Sequence, residues 1–198
     1  MGTPLDPHSG VRPVSTVAAV VVSLPERVDL LCEAISSVWG QTRRPDDLVI
    51  GVDYSRRGEV WNQNRILAAT DTDFVAFLHD DDLWEPDHLA TAERYFADAD
   101  VIVSDFTSPG RAWDIPKHWD RWDLLLHTNW FPPSVVVARR TIFDCWSEPA
   151  QPPPRDWVDW ANWRRLYTLG ARFVYTGNTT AQYRFGAWGN GSWQPPTS

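Results

Sequence analysis

Hydrophobic and polar positions follow two different periods along the first half of the chain. The run Val17-Ala18-Ala19-Val20-Val21-Val22 is continuously apolar and rich in β-branched residues, as a strand covered on both faces of a parallel sheet should be. Ser23-Leu24-Pro25-Glu26-Arg27 interrupts it, and Leu30, Leu31, Ala34, Ile35 and Val38 then recur at helical spacing up to Gly40. A second strand is predicted over Asp47 to Asp53 and a helix over about Val60 to Thr70. A third strand, Phe74 to Leu78, runs directly into His79-Asp80-Asp81-Asp82, and Pro86 fits the first turn of a helix continuing through Leu89 to Phe96. This alternation, with acids at two strand ends, predicts an α/β fold with a mostly parallel central sheet flanked by helices. In such sheets ligands bind beyond the carboxyl ends of the strands, which would bring Asp53 and Asp80 to Asp82 to one crevice.

The second half is less regular. Asp100 to Asp105 and Ser134 to Ala138 read as strands, Arg139 to Trp146 as a short helix, and Asp156 to Leu169 as a helix stopped by Gly170. Two closing strands, Arg172 to Tyr175 and Thr179 to Phe185, predict a small antiparallel C-terminal part. Residues 1–14 read as a flexible arm, 15–192 as a single domain with halves 15–105 and 106–192, and 193–198 as a tail.

Composition narrows the function. The formal net charge of −8 disfavours a general binder of phosphate backbones, and Lys117 is the single lysine. Cys32 and Cys145 do not make a disulfide framework, and Cys32 reads as a buried thiol on a helix. No segment has the length of a membrane span and no signal peptide is visible, so a cytoplasmic setting is expected. No Gly-x-Gly-x-x-Gly, P-loop or Gly-x-Ser-x-Gly motif is present, and His79, His88, His118 and His127 lack zinc-ligand spacing.

The acidic run carries the most chemistry. Adjacent carboxylates at the end of a buried strand raise one another's pKa, and a divalent cation relieves both the repulsion and the desolvation. Alternation along an extended backbone would let Asp80 and Asp82 share a face while Asp81 points elsewhere. The competing reading is an acidic turn in which Asp82 caps the following helix.

Several segments together carry a family resemblance. Ser23-Leu24-Pro25-Glu26-Arg27, Ser37-Val38-Trp39-Gly40-Gln41-Thr42, Val52-Asp53-Tyr54-Ser55, Asn62-Gln63-Asn64-Arg65 and Phe77-Leu78-His79-Asp80-Asp81-Asp82 with Pro86-Asp87 occur in that order. Asn129-Trp130-Phe131-Pro132-Pro133-Ser134, Asp159-Trp160-Ala161-Asn162-Trp163-Arg164-Arg165-Leu166 and Tyr183-Arg184 follow. In this order they resemble glycosyltransferase family 2, the inverting nucleotide-sugar transferases of GT-A (Rossmann-like) fold, over about Val14 to Ser192. The chain departs from that pattern in three places. Val158 stands where the family has a glutamate, the opening turn lacks the threonine and tyrosine, and no histidine follows Tyr183-Arg184.

The resemblance implies a nucleotide-sugar donor (UDP- or another NDP-sugar), Mn²⁺ or Mg²⁺, and single displacement onto an acceptor hydroxyl. Residues 15–105 would form the nucleotide- and metal-binding half and 106–192 the acceptor side. It places Ser23, Pro25, Glu26, Asp53, Asn64, Asp80, Asp81 and Arg184 around the donor, and Asp82 and Asp80, an Asp-x-Asp motif, at the metal. Asp159 is the candidate general base, with Asp156 second, and Asn129, Trp130 and Trp113 are candidates for the acceptor side. A nucleotidyltransferase of related fold and a non-catalytic sugar- or nucleotide-binding module are the rival readings. The negative charge makes a nucleic-acid acceptor the less favoured kind, and the small size suggests a homodimer or other partner to complete the acceptor side.

Overall fold

The computed structural model describes residues 15–108, 121–150 and 157–184. Its elements are β1 (Val17–Ser23), α1 (Val28–Trp39), β2 (Asp47–Val52), α2 (Glu59–Leu67), β3 (Phe74–His79), β4 (Leu83–Trp84), α3 (His88–Glu93), β5 (Val101–Thr107), β6 (Val136–Arg139), α4 (Val158–Thr168) and β7 (Phe173–Gln182). They form one seven-stranded sheet of order β2-β1-β3-β6-β5-β7-β4. Strands β2, β1, β3, β5 and β7 run one way; β6 and the short edge strand β4 are antiparallel to their neighbours. The predicted α/β class with a mostly parallel sheet is therefore observed.

The apolar runs account for the central strands. Val17 to Val21, Phe74 to Leu78 and Val101 to Val103 are all buried, as strands covered on both faces must be. Helix α1 packs Leu31, Ala34 and Val38 inward, and α2 packs Val60, Ile66 and Leu67. Phe77, Phe143, Trp146 and Trp163 form an aromatic cluster, with Trp146 and Trp163 centroids 5.5 Å apart. Trp163 is fully buried there and anchors α4 to the sheet.

Four local expectations change. Residues 139–146 make a single turn rather than a helix: Ile142 and Phe143 both donate their amides to the Arg139 carbonyl, and the chain then extends. The two closing strands are one strand, β7, because Gly177 (φ 72°) absorbs a bulge between the two stretches. Strand β4 has only two residues, too few to show a period, and pairs with β7. Cys32 is exposed, since it lies off the buried stripe of α1. Among the described residues no helix is long and apolar enough to cross a membrane.

Candidate functional site

The carboxyl ends of β1, β2 and β3 lie side by side in the sheet and carry Ser23, Asp53 and His79. Beyond β3 the chain turns tightly, with the Asp82 amide donating to the His79 carbonyl at 3.2 Å. That turn overrides the strand alternation. It draws His79, Asp81 and Asp82 together, so that one potential ligand atom from each lies within 4.8 Å of the others. Asp80 points the other way, accepting from Ser23 Oγ at 2.6 Å and from the Arg27 guanidinium at 2.8 Å. The expectation that Asp80 and Asp82 share a face is thus corrected: the convergent group is His79, Asp81 and Asp82.

Asp82 is completely buried. One oxygen accepts from Ser134 Oγ at 2.5 Å and the other from the Arg184 backbone amide at 3.0 Å. Both donors are neutral. Burial first, and then the neighbouring Asp81 charge, push the Asp82 carboxyl up to about 7. Asp82 does not cap α3; the residue before that helix is Asp87, and its side chain makes no capping bond. Burial also raises Asp80 above the usual carboxylate range, against the pull of Ser23 and Arg27. The Ser134 hydroxyl accepts the His79 amide at 3.1 Å as well, so one side chain just before β6 ties both ends of the acidic turn.

Around His79 the field is strongly negative. Burial opposes a charge on its ring, but Glu59, Asp81, Asp82 and Asp159 together raise its pKa. Glu59, the first residue of α2, lies 3.6 Å from His79 Nε2. Sequence reasoning passed over Glu59, because an acid in the first turn of a helix is ordinary.

Asp159 sits in the first turn of α4, half-buried. It accepts from Asn129 Nδ2 at 3.0 Å and from the Trp160 amide at 2.7 Å. Burial pushes its carboxyl up to about 6, against these two donors. A carboxylate so tuned can take a proton near neutral pH. Asp159, Asn129, His79 and the acidic turn therefore belong to one neighbourhood, built from both halves of the chain.

The other expected residues are placed as follows. Asp53 is buried, and its carboxylate accepts from the Gly58 amide at 2.8 Å, the Arg57 amide at 3.1 Å and Ser55 Oγ at 3.1 Å. It organises the loop after β2, where Arg56 (φ 54°) and Gly58 (φ 100°) adopt left-handed conformations. The Arg56 guanidinium makes a two-pronged pair with Glu26 at 2.9 and 2.8 Å, joining that loop to the turn opened by Pro25. Asn64 is turned away from the strand ends, with both atoms of its amide on the Trp146 backbone at 2.9 and 2.7 Å. Arg184 donates Nε to the Asp81 carbonyl at 2.6 Å and pairs with Glu33. Trp130 is buried in the core. Asp156 and Trp113 lie outside the described residues.

No family model matches the chain, and no curated protein matches it. Its fold is similar to that of solved structures. TarS 1-349 of S. aureus superposes with a TM-score of 0.68 at 13% identity, over 86% of this chain and 61% of that one. The same protein in complex with UDP-GlcNAc gives 0.66 at 13% identity, over 85% and 58%. The mannosyltransferase PcManGT from Pyrobaculum calidifontis, in complex with GDP-Man and Mn²⁺, gives 0.62 at 16% identity, over 88% and 58%. The chain spans about three fifths of the length of these structures. At such identity the likeness is one of fold.

Proposed function

We propose that the protein is a glycosyltransferase that moves a sugar from a nucleotide-sugar donor to an acceptor hydroxyl, with inversion at the anomeric carbon. One observation carries this reading. An acidic turn at the carboxyl end of a central strand faces a carboxylate of raised pKa on α4, in a fold shared with structures solved with UDP-GlcNAc and GDP-Man.

The residues of the turn fit a divalent cation. Asp82 is buried with only neutral donors on its oxygens, and Asp81 and His79 converge on it. His79, Asp81 and Asp82 would hold the ion, which supplies charge neutralisation for the departing nucleoside diphosphate. Asp80 has a different part: held by Ser23 and Arg27, it fixes the floor on which the nucleotide rests. Ser23, Pro25 and Glu26 line the nucleotide side, and Asp53 serves it by holding the 54–58 loop in shape. Asp159 takes the proton of the attacking hydroxyl, with Asn129 fixing one of its oxygens. Asn129 Oδ1 is buried without a hydrogen-bond partner among the described residues, and it is free to accept from an acceptor hydroxyl.

The test is a donor screen. The full chain is incubated with a panel of nucleotide sugars, Mn²⁺ and mixed acceptors, and products are read by mass spectrometry. Release of a nucleoside diphosphate with a glycosylated acceptor is the expected result. Release of pyrophosphate would make the protein a nucleotidyltransferase, and binding without turnover across the panel would make it a binding module.

A further inference from the structure

We propose that His79 is a nitrogen ligand of the cation site, and that it makes the site select a transition-metal ion over Mg²⁺. The inference rests on a cation binding at the turn, as above, and not on the transfer reaction itself.

The geometry supplies the first reason. A His79 ring nitrogen shares a 4.8 Å neighbourhood with carboxylate oxygens of both Asp81 and Asp82. The residue is fixed at both ends of its backbone: its amide donates to Ser134 Oγ and its carbonyl accepts the Asp82 amide. These bonds hold the His79 backbone in the same turn that places the two acids.

The second reason is an unfilled valence. His79 Nε2 is buried and has no hydrogen-bond partner among the described residues. Glu59, at 3.6 Å, stands beyond hydrogen-bond length. Buried polar atoms of this kind are rare, and an unseen ion or water is a usual reason for one. Gln63 Oε1, on the next turn of α2 from Glu59, is also buried without a partner. Both residues line one small cavity of about 10 Å³, room for about a single water. A water there would orient the ring from behind, as outer-shell groups orient ligating imidazoles. Ser134 does the same for Asp82.

The chemistry decides the metal. Mg²⁺ takes oxygen ligands in a near-ideal octahedron and keeps much of its water. Imidazole favours first-row transition ions, in rising order from Mn²⁺ through Co²⁺ to Ni²⁺. Two carboxylates alone would accept Mg²⁺ or Mn²⁺; two carboxylates and an imidazole favour the latter.

The experiment uses the full-length chain stripped of metal by a chelator. MgCl₂, MnCl₂ and CoCl₂ are titrated by calorimetry, without and with UDP. The Mn²⁺ form is then examined by electron spin echo envelope modulation for ¹⁴N coupling. Mn²⁺ should bind at least about tenfold more tightly than Mg²⁺, Co²⁺ more tightly still, and ¹⁴N modulation should be present. In His79→Asp the modulation should vanish and the Mn²⁺ to Mg²⁺ ratio should fall to about threefold or less. His79→Asn replaces it if the aspartate variant does not fold. Equal affinity for Mg²⁺ and Mn²⁺, absence of ¹⁴N modulation, its persistence in the variant, or no ion binding at all would each overturn the proposal. None of these readouts needs a sugar donor. A chain that binds Mn²⁺ through His79 yet consumes no nucleotide sugar would sink the transferase reading alone.

Discussion

Ser134 is the smallest group on which the site depends. Its one hydroxyl accepts from His79 and donates to Asp82, so removing it frees the turn and leaves a buried carboxylate oxygen without its donor. Ser134→Ala should weaken Mn²⁺ binding about tenfold or more, in line with other outer-shell substitutions, with the fold kept; calorimetry reads the change. Asp159 makes a second prediction. As the proposed base, Asp159 would act deprotonated, and with its carboxyl raised to about 6 transfer should rise with pH through about 6 and level off above it. Asp159→Asn should lower turnover by about a hundredfold or more and remove that limb of the pH profile. A profile unchanged in the variant would assign the base elsewhere. At this scale the sequence was only partly legible. Asp82 stood out as an acid beyond the end of an apolar strand, and Asp159 through the resemblance of its segment to a known family. His79 did not, since its meaning comes from a turn that reverses the face on which its neighbours point.

Elements were more legible than residues. The central strands and α1 follow from uninterrupted apolar runs and a clear helical stripe, and both survive tertiary packing. Residues 139–146 failed as a helix because Arg139 is drawn out of it. Its guanidinium meets the Phe96 carbonyl at 2.5 Å and Asp100 at 3.3 Å, contacts made with the segment between α3 and β5 and not within a helix. Pairing across 40 residues is invisible to a local period. The seat of α2 on β2 gives a prediction at this scale. A Cβ on Gly51 would lie 2.5 Å from Ile66 Cγ2 and 2.8 Å from Asn62 Oδ1, while Asn62 Nδ2 already donates to the Gly51 carbonyl at 2.7 Å. Gly51→Ala should therefore cost about 1–3 kcal/mol in chemical denaturation and lift the helix that carries Glu59. Unchanged stability would mean that α2 moves freely on the sheet.

For the whole molecule, the site works against the fold that holds it. Asp82 and Asp159 have folded pKa values raised above those of the unfolded chain, and His79 is raised as well. Such groups bind protons more tightly when folded, so their stabilisation is complete at low pH and is lost as pH rises through the folded values. For the two acids the loss runs from about 4 to about 6 and 7. Acids such as Asp46 and Asp100 are lowered by backbone amides and arginine, and their contribution disappears only as pH falls below the ordinary carboxylate range. The metal-free chain should thus have its highest melting temperature near pH 4 and lose stability as pH rises through about 6 and 7. Saturating Mn²⁺ should flatten or reverse that slope, because the ion does the proton's work. Thermal melts at several pH values, with chelator and with Mn²⁺, check both statements. A slope that is the same in both would show that the acidic turn takes no cation.

The antiparallel insertion of β6 between β3 and β5 has a consequence for the order in which the chain is made. The acidic turn leaves the ribosome 52 residues before Ser134 and 102 residues before Arg184, the two groups that bond Asp82. At about 5–20 residues per second, the nascent turn waits several seconds for the first and longer for the second. During that interval β1, β2 and β3 can pair, yet Asp82 has neither partner. The first half can therefore assemble as a sheet before translation has supplied what makes it a site.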